Sequence, residues 1–353
     1  MKLDEWHASS ISQYLKDHEG KARQFGLIPL LKNEDKLSSF GDVIESLRRL
    51  GVWAMQFPTP VLTALQGSRE FFVLVGFKPS RFHLGHLTLA QELVWYMNHG
   101  AKPFFIVSGY EAGTSLSADE ARAKVSEFWR IIRVVQGKDI PEPEHVYSDK
   151  ECLQLRLLED QVEECVPTQK ILQLYGWKSD ITVGALRIAT MNAAAFLFPC
   201  RLFPDVPLLV LSDIKQITHA EVAKIAARKM GLRVPAFSYR MLLSSLQGPR
   251  QRMSIRDENS AIFLNESVGT MAVKLRKCFS GGRKTVDEQR QLGGNPFTCS
   301  FFRICKLLIP EKQAQEMLIN CVSGSVMCGD CKRQRLNEAL CRLEQLSEKT
   351  VPT

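Results

Sequence analysis

The chain has 353 residues, 45% apolar and 24% charged, enough for two domains with ample core. The formal net charge is +8, which suits a polyanionic partner and suits a basic enzyme without one equally well. No apolar run reaches the roughly 20 residues that span a bilayer, and residues 1–6 lack the apolar core of a secretory signal, so a membrane or secreted protein is set aside and a cytoplasmic one expected. Ten cysteines in such a chain are not expected to form a disulfide framework.

Residues 1–65 read as several helices, an N-terminal appendage. In residues 44–50 the apolar Ile44, Leu47 and Leu50 lie opposite Arg48 and Arg49, and Gly51 ends the turn. Pro58 and Pro60 mark a linker. From residue 66 the pattern alternates. A strand over 70–76 is followed by a helix over 87–99, a strand over 103–108, and a helix over 117–136 whose Ser117 and Glu120 make a capping box. A short strand over 144–147, a helix over 152–165, a buried strand over 207–211 and a helix over 219–230 complete the series. The alternation predicts an α/β fold with a doubly wound parallel sheet over 66–265, with ligands at the carboxyl ends of the strands. Beyond 266 the strand patterns fade. Helices over 312–318 and 333–348 predict a helical C-terminal domain, residues 266–353.

The most informative stretch runs from Lys78 through Pro79, Ser80, Arg81, Phe82, His83, Leu84 and Gly85 to His86. It joins an apolar strand to a helix start, where backbone N–H groups and the helix dipole favour phosphate. His83 and His86 can both face such a group, and Gly85 permits close approach of a nucleoside. Taken alone, two histidines near a helix start are more often packing residues. A second element lies far downstream, where Arg250, Arg252, Met253, Ser254 and Arg256 form a basic, serine-bearing loop suited to a pyrophosphate leaving group.

The His-Leu-Gly-His core resembles the His-Ile-Gly-His signature of class I aminoacyl-tRNA synthetases. The stretch 252–264 resembles the Lys-Met-Ser-Ala-Ser-Asp-x-Asn-Ser-Ala-Ile-Phe-Leu region of tryptophanyl-tRNA synthetases of the archaeal and eukaryotic type. Ser280, Gly281, Gly282, Arg283 and the later Gly293 and Gly294 resemble two further segments of that family. The resemblance runs from about 66 to 345. It implies a Rossmann-like catalytic domain over 66–265, an anticodon-binding domain over 266–353, and activation of L-tryptophan with ATP and Mg2+ followed by transfer to tRNA, in a homodimer. It further implies that His83, Gly85, His86, Arg252, Met253 and Ser254 carry the catalysis. Lys78, Pro79, Ser80 and Arg256 would bind ATP. Tyr110, Glu111, Asn192 and Gln216 would bind the amino acid.

The chain departs from the family at several of these places. Arg252 stands for the lysine of the phosphate loop, and Arg256 for a small hydroxyl residue. In the amino-acid pocket Glu111 survives, an aromatic has become Gly113, and a glutamine has become Asn192. Two alternatives therefore stay open: a paralogue that activates tyrosine or a modified tryptophan, and a catalytically weakened tRNA-binding protein.

Four cysteines, Cys299, Cys321, Cys328 and Cys331, are spaced C-x21-C-x6-C-x2-C. Four thiolates suit Zn2+ or an iron–sulfur cluster, and four free thiols are the alternative. The spacing resembles that of tryptophanyl-tRNA synthetases that hold a [4Fe-4S] cluster near the anticodon site. Arg303, Lys306, Lys332, Arg333 and Arg335 nearby are candidates for contacts with an RNA backbone.

Overall fold

The computed structural model describes residues 1–31, 35–110 and 116–348. The chain opens with α1 (Leu3–Phe25), β1 (Ile28–Pro29), α2 (Gly41–Arg49), β2 (Val52–Gln56) and α3 (Thr59–Gln66). Residues 1–65 are therefore not all helical. All five residues of β2 are buried, and it joins the main sheet antiparallel to a later strand. Pro58 and Pro60 start α3 rather than marking a linker: proline is tolerated in a first turn, whose N–H groups have no helical acceptor.

Next come β3 (Phe71–Phe77), α4 (Leu84–Met97), β4 (Ala101–Val107), α5 (Ala118–Gln136), β5 (His145–Ser148), α6 (Leu153–Cys165), α7 (Thr168–Tyr175) and α8 (Val183–Leu202). They are followed by β6 (Leu208–Asp213), α9 (Ile217–Met230), β7 (Ala236–Arg240) and a small hairpin of β8 (Ser244–Ser245) and β9 (Gly248–Arg252). The main sheet has the order β1-β2-β7-β6-β3-β4-β5. Strands β7, β6, β3, β4 and β5 are mutually parallel, and β2 and β1 add an antiparallel edge. The chain leaves β3 toward β4 and β5 and returns to β6 on the other side, which puts a topological switch point between β3 and β6.

Alternation along the central strands fills both faces. Phe71, Val73 and Val75 of β3 pack with α4 and α5, while Phe72 and Leu74 pack with α6, α8 and α9. Among the described residues α8 is the one helix long and apolar enough to cross a membrane, contrary to the expectation of none. Its Ala189, Ala193, Phe196 and Leu197 are buried in the second of these layers. A buried polar chain ties the N-terminal edge to the sheet: Tyr239 donates to Gln56 Oε1 at 2.9 Å, and Gln56 Nε2 donates to Glu221 at 2.8 Å and to the Phe25 carbonyl at 2.6 Å.

The C-terminal part is helical, as expected: α10 (Val268–Lys277), α11 (Val286–Leu292), α12 (Ser300–Leu308), α13 (Glu311–Ser323) and α14 (Cys328–Glu348). Its core is continuous with the α4–α5 layer. The first helix of the chain docks here too, with Trp6 stacked on Phe297 at 6.0 Å and edge-on to Phe302 at 5.2 Å.

Candidate active site

Helix α4 begins three residues earlier than its apolar pattern suggests, because His83 caps it. The His83 ring Nδ1 accepts the Gly85 N–H at 2.9 Å, and the His86 ring Nδ1 accepts the His83 N–H at 3.1 Å. Each Nδ1 is thus an acceptor, so the ring proton of each neutral imidazole lies on Nε2. Both rings are held neutral. Burial and the nearby Arg252 bring the His83 pKa down to about 4, and desolvation, with His83 and Arg240 close by, puts His86 well below its ordinary range. The pair offers two neutral N–H donors. Gly85 has a local reason to be glycine: a Cβ there would sit 2.6 Å from Cε1 of His83.

The downstream segment meets this turn directly. His83 and Phe263 form a β-bridge, Leu84 N–H donates to the Ile262 carbonyl at 3.1 Å, and Leu264 N–H donates to the Phe82 carbonyl at 2.9 Å. One cavity is lined by His83, Gly85 and His86 on one side and by Arg252 and Met253 on the other, with Asp213 and Arg240 between. The two elements, about 170 residues apart, share one wall. Met253 is a correction in kind: it is buried in the core, and its N–H is bonded to the Leu243 carbonyl at 3.0 Å, so it anchors the loop from behind. Ser254 is tied by its N–H to the Ser260 hydroxyl at 3.0 Å, and that hydroxyl also donates to the Asp257 carbonyl at 2.6 Å. Arg252 and Arg256 are exposed, and Arg256 lines neither this cavity nor its neighbour.

The neighbouring cavity opens at the switch point. The ends of β3 (Gly76, Phe77, then Lys78), β4 (Ile106, then Ser108), β6 (Ser212, Asp213) and β7 (Arg240) surround it, with Asn192, Phe196 and Gln216 from the helices. Asn192 and Gln216, expected to bind the amino acid, and Lys78, expected to bind ATP, all line this one cavity, and Lys78 does not line the cavity of the histidine turn. The Gln216 Oε1 is buried with no hydrogen-bond partner, an acceptor for a ligand N–H. Asn192 gives its amide N–H to the Ile188 carbonyl at 2.8 Å. Pro79, Ser80 and Tyr110 line neither cavity. Pro79 lies within the turn in which Ser80 N–H meets the Lys78 carbonyl at 2.7 Å, and the Tyr110 ring lies beneath Lys150 and Arg187. Glu111 and Gly113 lie outside the described residues. Sequence reasoning missed Asp149, whose carboxylate accepts from the Ser108 hydroxyl at 2.7 Å and from the Gly109 and Tyr110 N–H groups at 3.0 and 3.2 Å, fixing the turn after β4. It also missed Arg240, whose signal is position alone: it ends the parallel strand beside β6, as the register partner of Asp213.

The four cysteines come together at a second place. Cys299 caps α12, Cys321 lies near the end of α13, and Cys328 and Cys331 are one turn apart at the start of α14. All four thiols are free and line one small cavity with Gln289, Phe301 and Lys332. The glycine segments close around them: a Cβ on Gly294 would lie 2.9 Å from Cys321 Sγ, and one on Gly282 would lie 3.1 Å from Cys328 Sγ. N–H groups reach two of the sulfurs, Phe302 to Cys299 at 3.3 Å and Gln289 to Cys328 at 3.4 Å. Among the described residues no three His, Cys, Asp or Glu side chains are grouped to hold a metal ion, so neither the zinc nor the iron–sulfur expectation finds support in how the thiols are placed. The nearby cations are engaged within the protein. Lys306 lies over Trp6, Arg303 donates to the Phe297 carbonyl, Lys332 donates to the Arg276 carbonyl, and Arg333 and Arg335 pair with Asp330 and Glu316.

Comparison with known proteins adds three findings. The family described as tRNA synthetases class I (W and Y) matches residues 66–344. A tryptophan–tRNA ligase of Hyperthermus butylicus is 27% identical over 94% of this chain and 90% of its own length, and one of Methanocaldococcus jannaschii is 24% identical over 99% and 95%. The crystal structure of tryptophanyl-tRNA synthetase from Aeropyrum pernix superposes with a TM-score of 0.78 at 23% identity, covering 99% of this chain and 98% of that one.

Proposed function

The chain belongs to the class I tRNA synthetases of the tryptophan and tyrosine family, and from that premise we propose that it activates L-tryptophan with ATP and transfers the acyl group to tRNA. The observation that carries the reading is the shared wall of His83, Gly85, His86, Arg252 and Met253. ATP, arriving with Mg2+, lays its phosphates there. The neutral Nε2–H groups of His83 and His86, the α4 N-terminus and Arg252 meet the charge that builds on the phosphates. The tryptophan side chain enters the switch-point cavity against Phe77, Ile106 and Phe196, with its indole N–H toward Gln216 Oε1. Its carboxylate oxygen bonds to the α-phosphorus as the bond to the bridging oxygen breaks, and pyrophosphate leaves with that electron pair. The terminal ribose hydroxyl of tRNA then attacks the adenylate carbonyl and releases AMP.

The finer calls extend this proposal. Residues 66–265 form the catalytic domain and 266–353 the anticodon-binding one. The enzyme works in the cytosol as a homodimer, a reading supported by the exposed Leu153, Leu157 and Val183. The four-cysteine cavity holds a [4Fe-4S] cluster, supported by four thiols around one space and by glycines that leave room beside two of them. Such a cluster has a structural role, pinning α12, α13 and α14 together.

ATP–pyrophosphate exchange with each amino acid in turn tests the reading. Tryptophan-dependent exchange is expected. Exchange with tyrosine alone would favour the paralogue, and a folded protein that shifts tRNA in a gel yet exchanges with no amino acid would leave only a binding protein.

A further inference from the structure

We infer that Arg240 contacts substrate, gripping the α-phosphate beside the attacking carboxylate, and that Glu92 is its positioning residue; this rests on the reading of the site above. Arg240 and Asp213 are register partners at the ends of β7 and β6, and they are the two residues common to the walls of both cavities. The boundary between an amino-acid cavity and a phosphate cavity is where the carboxylate must meet phosphorus.

The arginine is built to be used from that boundary. Its side chain is 14% exposed, and Nη1 lies 3.6 Å from Glu92 Oε2, too far for a hydrogen bond. Neither atom has another hydrogen-bond partner. Glu92 is wholly buried on α4, and its other oxygen accepts from the Ser238 hydroxyl, two residues before Arg240 on the same face of β7. The carboxylate is thus fixed from behind. It supplies a counter-charge that holds the guanidinium in place without consuming its N–H groups.

A guanidinium has five donors in a rigid fork and matches phosphate or carboxylate oxygens two at a time. Lining the phosphate cavity together with Arg252, Arg240 gives this site a second cation, one seated on the rigid sheet rather than on the phosphate loop. The step itself is unchanged. The carboxylate oxygen–phosphorus bond forms, the bond to the bridging oxygen breaks, pyrophosphate leaves with the pair, and Arg240 neither gains nor loses a proton.

Calorimetric titration of the full chain with ATP and with adenosine, beside exchange kinetics, tests this. Arg240→Met could leave Glu92 buried and uncompensated, so the double variant Glu92→Gln/Arg240→Met, which removes both charges, is measured with it. Both should bind ATP at least about tenfold more weakly with adenosine affinity unchanged, and exchange kcat should fall by about 10²-fold. Arg240→Lys should recover part of the loss. Glu92→Gln alone should lower kcat about tenfold with KM for ATP within about twofold, because it disturbs aim more than binding. A folded double variant that binds ATP as wild type does, or that loses ATP and adenosine affinity in parallel, would overturn the inference. An unchanged kcat in Glu92→Gln would overturn the positioning role. Exchange that depends on Arg240 with an amino acid other than tryptophan would support the inference while removing tryptophan as the substrate.

Discussion

The phosphate cavity and the cysteine cavity are each assembled from segments far apart in the chain, yet they are finished differently. Around the phosphate cavity the two segments are stitched by backbone hydrogen bonds, from Leu84 to Ile262 and from Leu264 to Phe82, and its imidazoles satisfy each other's turn. Around the cysteine cavity the side chains point at a gap. Burial pushes the Cys321 and Cys331 thiols up to about 12, and only weak N–H contacts reach the sulfurs. The first is held together by backbone and ring hydrogen bonds, and the second is lined by free, buried thiols.

The sharpest way to break that contrast is to remove a donor from the first cavity. His86→Ala should cut exchange kcat by about 10²–10³-fold while leaving the melting of the C-terminal helices unmoved. Gly85→Ala comes next. Its Cβ would meet the His83 ring at 2.6 Å, so the ring must turn away, and exchange should fall by about 10² through misplacement alone. At the second cavity the effect should be on stability rather than rate. Cys331→Ser, or iron removal from anaerobically prepared protein, should lower the melting temperature by about 5–10 °C with exchange kcat unchanged, whereas a colourless protein carrying one zinc would remove the cluster. The smallest effect is a pH slope. His83 in the folded chain stays neutral down to about pH 4, while the unfolded chain takes up that proton near its ordinary 6.5. The unfolded state then binds more protons, so stability should decline as pH falls from 6.5 toward 4. His83→Asn should flatten part of that decline in urea titrations, and a slope identical to wild type would show that the imidazole is not held neutral.

What was legible in the sequence follows the same division. Strands β3, β4 and β6 announce themselves as short apolar runs, and the Ser117–Glu120 capping box marks the start of α5. Strand β2 was hidden because its five residues are buried on both faces and show no alternation. Strand β7 was hidden because Ser238, Tyr239 and Arg240 read as polar, although the first two are buried and bonded to Glu92 and Gln56. Contacts of that kind join residues 146 and 183 positions apart and leave no local pattern. The histidine turn and the phosphate loop were legible as motifs. That Met253 also anchors the loop was not, because an apolar side chain in a basic loop can face either way until the β8–β9 hairpin folds it inward.

Hydrogen exchange of the full chain with and without ATP tests the central claim most directly. Peptides covering 80–88 and 248–256 should gain protection together and at the same ATP concentration, while those covering 321–335 do not change. Protection of one segment without the other, or of neither, would mean that the two do not serve a single triphosphate.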